Sequence, residues 1–357
     1  AQQPGLYLAF FSSYDYLDQV FALLREQHPD LPCWEQQRQM PEAARVQSRR
    51  ENLADETVAA RQTAAIGRLL QRAPASAREA WLARADIAAG IGFAYGEAML
   101  FEPAIEWLDK ALLARDGDCP IRAVEQAANM RVRLAADAAA DLRRDRKATR
   151  EQLNAVADRI EATIVELDFI NQRAATPERL LLLGSACKRL AWVQSARPRV
   201  EALLNMAQYY REALERKGGD DVYAFNNWAV ACLLLRRLDP ERAAGNWLPA
   251  LAEMTERHVD STRARHEESP SLWLATGLGD LQIVRLLLAA DDAKADAAGL
   301  GRTAAELYAA AFARGASPRE VASIQEHLDF LAELTGAGEA RWPQPVREAL
   351  AAVRRSM

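Results

Sequence analysis

A chain of 357 residues that is half apolar and 27% charged can fill a core, and it is too evenly balanced for a disordered tail. Alanine supplies 72 positions, glycine and proline only 17 and 15, so an all-α fold is indicated and a β-sandwich, a β-barrel, collagen and a disulfide-stapled mini-protein are excluded. A net charge of −5 and a pI near 5.6 argue against nucleic acid and anionic membrane surfaces as partners.

Of the 45 basic residues, 40 are arginine and 5 lysine, a bias that together with the alanine content points to a GC-rich bacterial coding sequence. The four cysteines, Cys33, Cys119, Cys187 and Cys232, form no Cys-x-x-Cys pair and read as reduced, mostly buried thiols, which favours a cytoplasmic setting. The longest uncharged runs, Ala1–Tyr14 and Val222–Leu235, are 14 residues each, short of the ~18 that a membrane helix needs. The chain begins at Ala1 without Met, which raises the expectation that it was cut from a longer polypeptide.

In chain order, residues 1–75 read as an irregular helical segment. It is apolar from Leu6 to Leu24, broken at Pro29, Pro32 and Pro41, helical again from Ala43 to Arg72, and closed by Pro74. Residues 76–357 read as a helical repeat domain. No Gly or Pro falls between Pro120 and Pro177, so 121–176 is expected to form two long antiparallel helices. The mixed charges from Asp141 to Glu151 fit a solvated helix surface. Breaks at Gly218-Gly219, Asp239-Pro240, Ser269-Pro270, Gly299–Gly301, Ser317-Pro318 and Gly336–Gly338 divide the rest into degenerate repeats over 177–334 and capping helices over 335–357.

One pattern recurs with spacings of four and three: a small residue, a bulky one, then Ala followed by an apolar residue. It occurs as Ala104–Leu108–Ala111–Leu112, Ala243–Trp247–Ala250–Leu251 and Ala304–Tyr308–Ala311–Phe312, and with Met first as Met206–Tyr210–Ala213–Leu214. These spacings share one helix face, where alanine admits a neighbouring helix and the bulky side chain fills the hole beside it. Gly92 and Tyr95 precede the first copy, Gly184 the Met206 copy, and Trp273 and Gly277 the last. The set resembles the tetratricopeptide repeat, a helix–turn–helix unit of about 34 residues, and implies a right-handed α-solenoid. The stretch 177–334 carries Leu-Gly-Ser-Ala-Cys-Lys-Arg-Leu (183–190), Ala-Gln-Tyr-Tyr-Arg-Glu-Ala (207–213), Val-Tyr-Ala-Phe-Asn-Asn-Trp-Ala (222–229) and Ser-Leu-Trp (271–273). It is similar to the TRAFs-binding repeat region of stress-activated MAP kinase kinase kinases and its bacterial relatives, which implies a regulatory interaction module.

Catalytic signals are weak. Gly90-Ile-Gly92 follows an Ala-rich helical stretch where a phosphate loop needs a strand. His258, Asp260 and His266 lack the close pairing or Cys partner usual at zinc, and His327 reads as a half-exposed helix residue. No Walker, Gly-x-Ser-x-Gly or His-Glu-x-x-His motif occurs, so no cofactor, metal or catalytic residue is expected.

The inner surface of such a superhelix comes from the first helix of each pair. That rule points to Glu178, Leu181, Ser185, Lys188 and Arg189 in one repeat, and to Phe225, Trp228, Cys232, Leu235 and Arg236 in the next. Lys188, Arg189 and Arg236 would donate to carboxylates, with Trp228 as apolar anchor. The sequence therefore predicts a non-catalytic scaffold that holds a partner protein, or a covalently linked domain, on a concave surface. The alternative is the regulatory C-terminal half of a bacterial signalling or protease-type effector enzyme. A compact globule around a deep polar cavity with converging titratable groups would overturn the scaffold reading.

Overall fold

The computed structural model describes residues 71–356 except 73, 115–118, 145–148, 243–246, 317 and 337–341, together with residues 21–22 and 25–26. Nearly all of the expected N-terminal segment therefore lies outside the described residues. Among the described residues from Ala75 onward there are thirteen α-helices, and no strand occurs among the described residues. They are α1 (Ala75–Leu82), α2 (Ala85–Glu97), α3 (Phe101–Leu113), α4 (Ile121–Arg144), α5 (Arg150–Asn171), α6 (Pro177–Val193) and α7 (Ala196–Arg216). Then follow α8 (Val222–Leu238), α9 (Trp247–Glu268), α10 (Leu272–Leu288), α11 (Ala297–Ala313), α12 (Pro318–Gly336) and α13 (Gln344–Arg355). The Gly- and Pro-free stretch holds two helices, α4 and α5.

Local sequence explains where these helices start and stop. Thr149 and Gln152 make a reciprocal capping box at α5, while Thr176, Asp221, Ser271 and Asp296 each cap the next helix through a side-chain oxygen. After α7 the chain turns through Gly218 and Gly219 at φ +73° and +82°, a conformation that costs a Cβ-bearing residue energy.

The hairpins close on glycine. A Cβ at Gly92 would lie 2.6 Å from Leu108, one at Gly184 2.8 Å from the Tyr210 ring, and one at Gly279 2.8 Å from the Tyr308 ring. The helix pairs α2–α3, α6–α7 and α10–α11 thus meet at a distance only glycine permits, and Leu108, Tyr210 and Tyr308 are fully buried beside Ala104, Ala111, Ala213, Ala304 and Ala311. Tyr95 packs at the edge of the first of these seams. Two sequence expectations are corrected here. Gly279, one helical turn or less from the expected Gly277, is the residue that receives the last bulky side chain; Gly277 faces Val222 of the preceding repeat. In α9 the inward face runs through Leu251, Thr255, His258, Val259 and Thr262, which leaves Ala250 exposed. Ala243 and the side chain of Trp247, from the same expected copy, lie outside the described residues.

Neighbouring pairs stack so that α3 packs on α4, α5 on α6, α7 on α8 and α9 on α10, the order of an α-solenoid. The segment 272–291, mostly α10, is long and apolar enough to cross a membrane, yet two-thirds of its apolar window is buried. Contacts with α8, α9 and α11 account for that apolarity. At the C-terminus the stacking order changes. Helix α13 takes the place next to α11, and α12 instead reaches back across the inner side of the array to α6.

Candidate functional site

Helix α12 and the inner faces of α6, α8 and α10 enclose a half-open cavity of about 930 Å³. Its mouth lies where α8 and α10 begin, at the capped ends set by Asp221 and Ser271. Partial positive charge from both helix N-termini is therefore directed there. Two large aromatic side chains, Tyr223 and Trp273, line the cavity while 43% and 50% exposed.

Behind the mouth sits a buried ionic cluster. Arg189 clamps the Glu326 carboxylate of α12 through two nitrogens at 2.7 and 2.8 Å, and Arg189 also donates to Ser185 Oγ at 2.5 Å. Burial alone would raise the Glu326 carboxyl, but Arg189, Arg133 and Lys188 together hold it below the usual range. The Lys188 ammonium, nine-tenths buried, lies 2.6 Å from His327 Nδ1 and 3.3 Å from Asn227 Oδ1, with the Phe330 ring 5.3 Å away. Desolvation lowers Lys188 to about 8, against the pull of Glu326. His327 is driven well below its ordinary value by burial and by Lys188, so the imidazole is neutral at pH 7 and can accept the ammonium proton donor. Its other nitrogen lies 3.9 Å from Asp280, whose carboxyl burial pushes up to about 6 although the Tyr308 hydroxyl donates to it at 2.5 Å. A second carboxylate of α12, Glu333, stands 3.9 Å from Arg143 of α4.

The groove residues named from sequence divide into three groups. Lys188 and Arg189 line the cavity. Phe225 does not offer itself to a partner: it is fully buried with its ring stacked 4.0 Å from His258, because α9 closes over that side of α8. Trp228 packs edge-on against Phe225 and is partly buried in the core. Glu178 and Arg236 sit apart from the cavity lining, Glu178 exposed at 3.8 Å from Lys217 and Arg236 paired at 3.2 Å with Asp291. His327, expected to be half-exposed, is 8% exposed, since α12 turns it inward onto Lys188.

Sequence reasoning missed Asp280, Glu326, Tyr223 and Trp273 as cavity residues. Asp280 carried a usable signal, an acid in the middle of an otherwise apolar helix, where unpaired carboxylates are rarely buried. The two buried thiols, Cys187 and Cys232, are pushed up to about 12 by desolvation and are poor nucleophiles. His258 and His266 diverge, the first on Phe225 and the second on Arg314. Among the described residues no group of three His, Cys, Asp or Glu side chains is placed to hold a metal ion.

Titratable groups do converge on this cavity, but it lies on the inner face of stacked helix pairs and not inside a compact globule, so fold and site define an α-helical repeat protein whose inner face carries buried charge. Residues 100–235, just over a third of the chain, match the family model Tetratricopeptide Repeats-Sensor. That match runs from the start of α3 into α8 and includes the Tyr210 seam together with Lys188 and Arg189. No curated protein matches the chain.

Proposed function

We propose that this protein is a non-catalytic regulatory module that holds an acidic helical segment on the inner face of α6, α8 and α10. The segment belongs to a partner protein or to another domain of the same polypeptide. One observation carries the reading: the inner face already seats an amphipathic helix of its own, α12, through Glu326 on Arg189 of α6 and Glu333 on Arg143 of the neighbouring α4. An occupant that displaced α12 and reproduced those two carboxylates and the apolar side of Phe330 and Leu331 would satisfy the same groups. The resemblance of 177–334 to a TRAFs-binding region agrees with an interaction role, and the word Sensor in the matching family's description agrees with a regulatory one.

Affinity capture from the native host tests it, with wild type, Arg189→Glu and the charge-exchanged pair Arg189→Glu/Glu326→Arg immobilised at equal loading. Arg189→Glu should lose the proteins that wild type retains, and the exchanged pair, which restores the internal clamp with reversed sign, should not recover them. Equal capture by all three would remove the groove assignment. The alternative, in which the module regulates a covalently linked effector enzyme, predicts that the extended polypeptide competes with captured partners for the same groove.

A further inference from the structure

The cavity left beneath α12 is a separate feature from the surface that α12 covers. Its volume of about 930 Å³ falls in the range of small-molecule sites, roughly 300–1,000 Å³. Five cationic side chains line it, among them Lys188, Lys217 and Arg265, against the four carboxylates of Asp221, Glu268, Asp280 and Glu326. Glu326 is committed to Arg189 by two short contacts and Asp221 to Lys217 at 3.0 Å. Both hydrogen-bond neighbours of Lys188, Asn227 Oδ1 and His327 Nδ1, are uncharged. A buried ammonium whose direct hydrogen-bond acceptors are neutral, with Glu326 and Asp280 acting on it only through space, can take an anionic oxygen from the cavity as a direct partner. The two exposed rings at the entrance, Tyr223 and Trp273, add flat apolar surface beside it.

We propose that this cavity binds a small aromatic anion, a planar ring bearing a phosphate or carboxylate group, with Lys188 receiving the anionic oxygens and Trp273 and Tyr223 flanking the ring. The site requires no partner protein, so it stands or falls apart from the function proposed above.

Calorimetric titration of the whole chain with phenyl phosphate, phthalate and inorganic phosphate tests the assignment. At least one ring-bearing anion should bind at a single site, at least tenfold more tightly than inorganic phosphate. Whichever of phenyl phosphate and phthalate binds more tightly identifies the anionic group. Lys188→Met should weaken that probe at least tenfold in a chain whose circular dichroism is unchanged. Trp273→Ala, at the half-exposed rim and checked by the same circular dichroism, should remove most of the advantage of the ring and leave inorganic phosphate unaffected. Failure of both ring-bearing anions to bind at millimolar concentration would overturn the proposal, as would undiminished binding by Lys188→Met or Trp273→Ala.

Discussion

Two kinds of seam hold this molecule together, and they differ in what they ask of the chain. Within the hairpins, Gly184 of α6 admits the Tyr210 ring of α7, and Gly279 of α10 admits Tyr308 of α11. The ring contacts are apolar and close-packed, and only the hydroxyls at their far ends reach polar partners, Tyr223 and Asp280. Between α12 and the groove, the contacts are instead Arg189–Glu326 and Lys188–His327, charged or titratable groups taken largely out of water, with the more exposed pair Arg143–Glu333 beside them. Desolvating such groups offsets much of their mutual attraction. The first seam is a fixed frame, and the second is a closure whose strength depends on partners and protonation.

Three experiments would break or sharpen that contrast. Tyr210→Ala removes a fully buried ring from the apolar seam and should cost about 3–5 kcal/mol in urea denaturation, with unfolding that involves the whole array. A loss below 1 kcal/mol would mean that the seam is loosely packed. Arg189→Met leaves Glu326 buried beside fewer cations and should cost about 3 kcal/mol, most of it recovered when Glu326→Gln is added. Hydrogen exchange should locate the effect, rising in 318–336 while α7 stays protected; an equal rise in α7 would dissolve the distinction between the seams.

The smallest effect concerns Asp280. Its carboxyl is raised to about 6 in the folded chain from an ordinary 3.8, so the folded state holds that proton more tightly than the unfolded one. It contributes stability that is fully present below about pH 3.8 and lost as the pH rises through 6. Asp280→Asn retains an acceptor for the Tyr308 hydroxyl and removes this loss. Relative to wild type the variant should gain on the order of 2 kcal/mol between pH 4 and pH 7. A stability difference that is flat across that range would show that burial does not raise the Asp280 carboxyl.

Much of the frame was legible before any coordinates. The four-and-three spacing that placed Ala104, Leu108 and Ala111, or Ala304, Tyr308 and Ala311, on one face is a property of the helix itself, and all six residues are fully buried. The reading slipped where alanine is too common to discriminate. In α9, Ala250 fits the pattern as well as its neighbour Leu251, yet only Leu251 points inward. On the inner face, helix register brought Lys188 and Arg189 to the cavity, but it could not tell Phe225 from a groove residue. The stacking of His258 on Phe225, which buries it, comes from another helix.

From its residues alone, then, this chain determined an all-α array of paired helices, because helix propensity, capping and the 3.6-residue period act between residues a few positions apart. Only the tertiary structure decided that α12 leaves the stacking order and closes the groove. Arg189 meets Glu326 across 137 positions and Lys188 meets His327 across 139. No local period links residues at such separations; the path of the intervening helices sets which charges meet and which of them face the cavity.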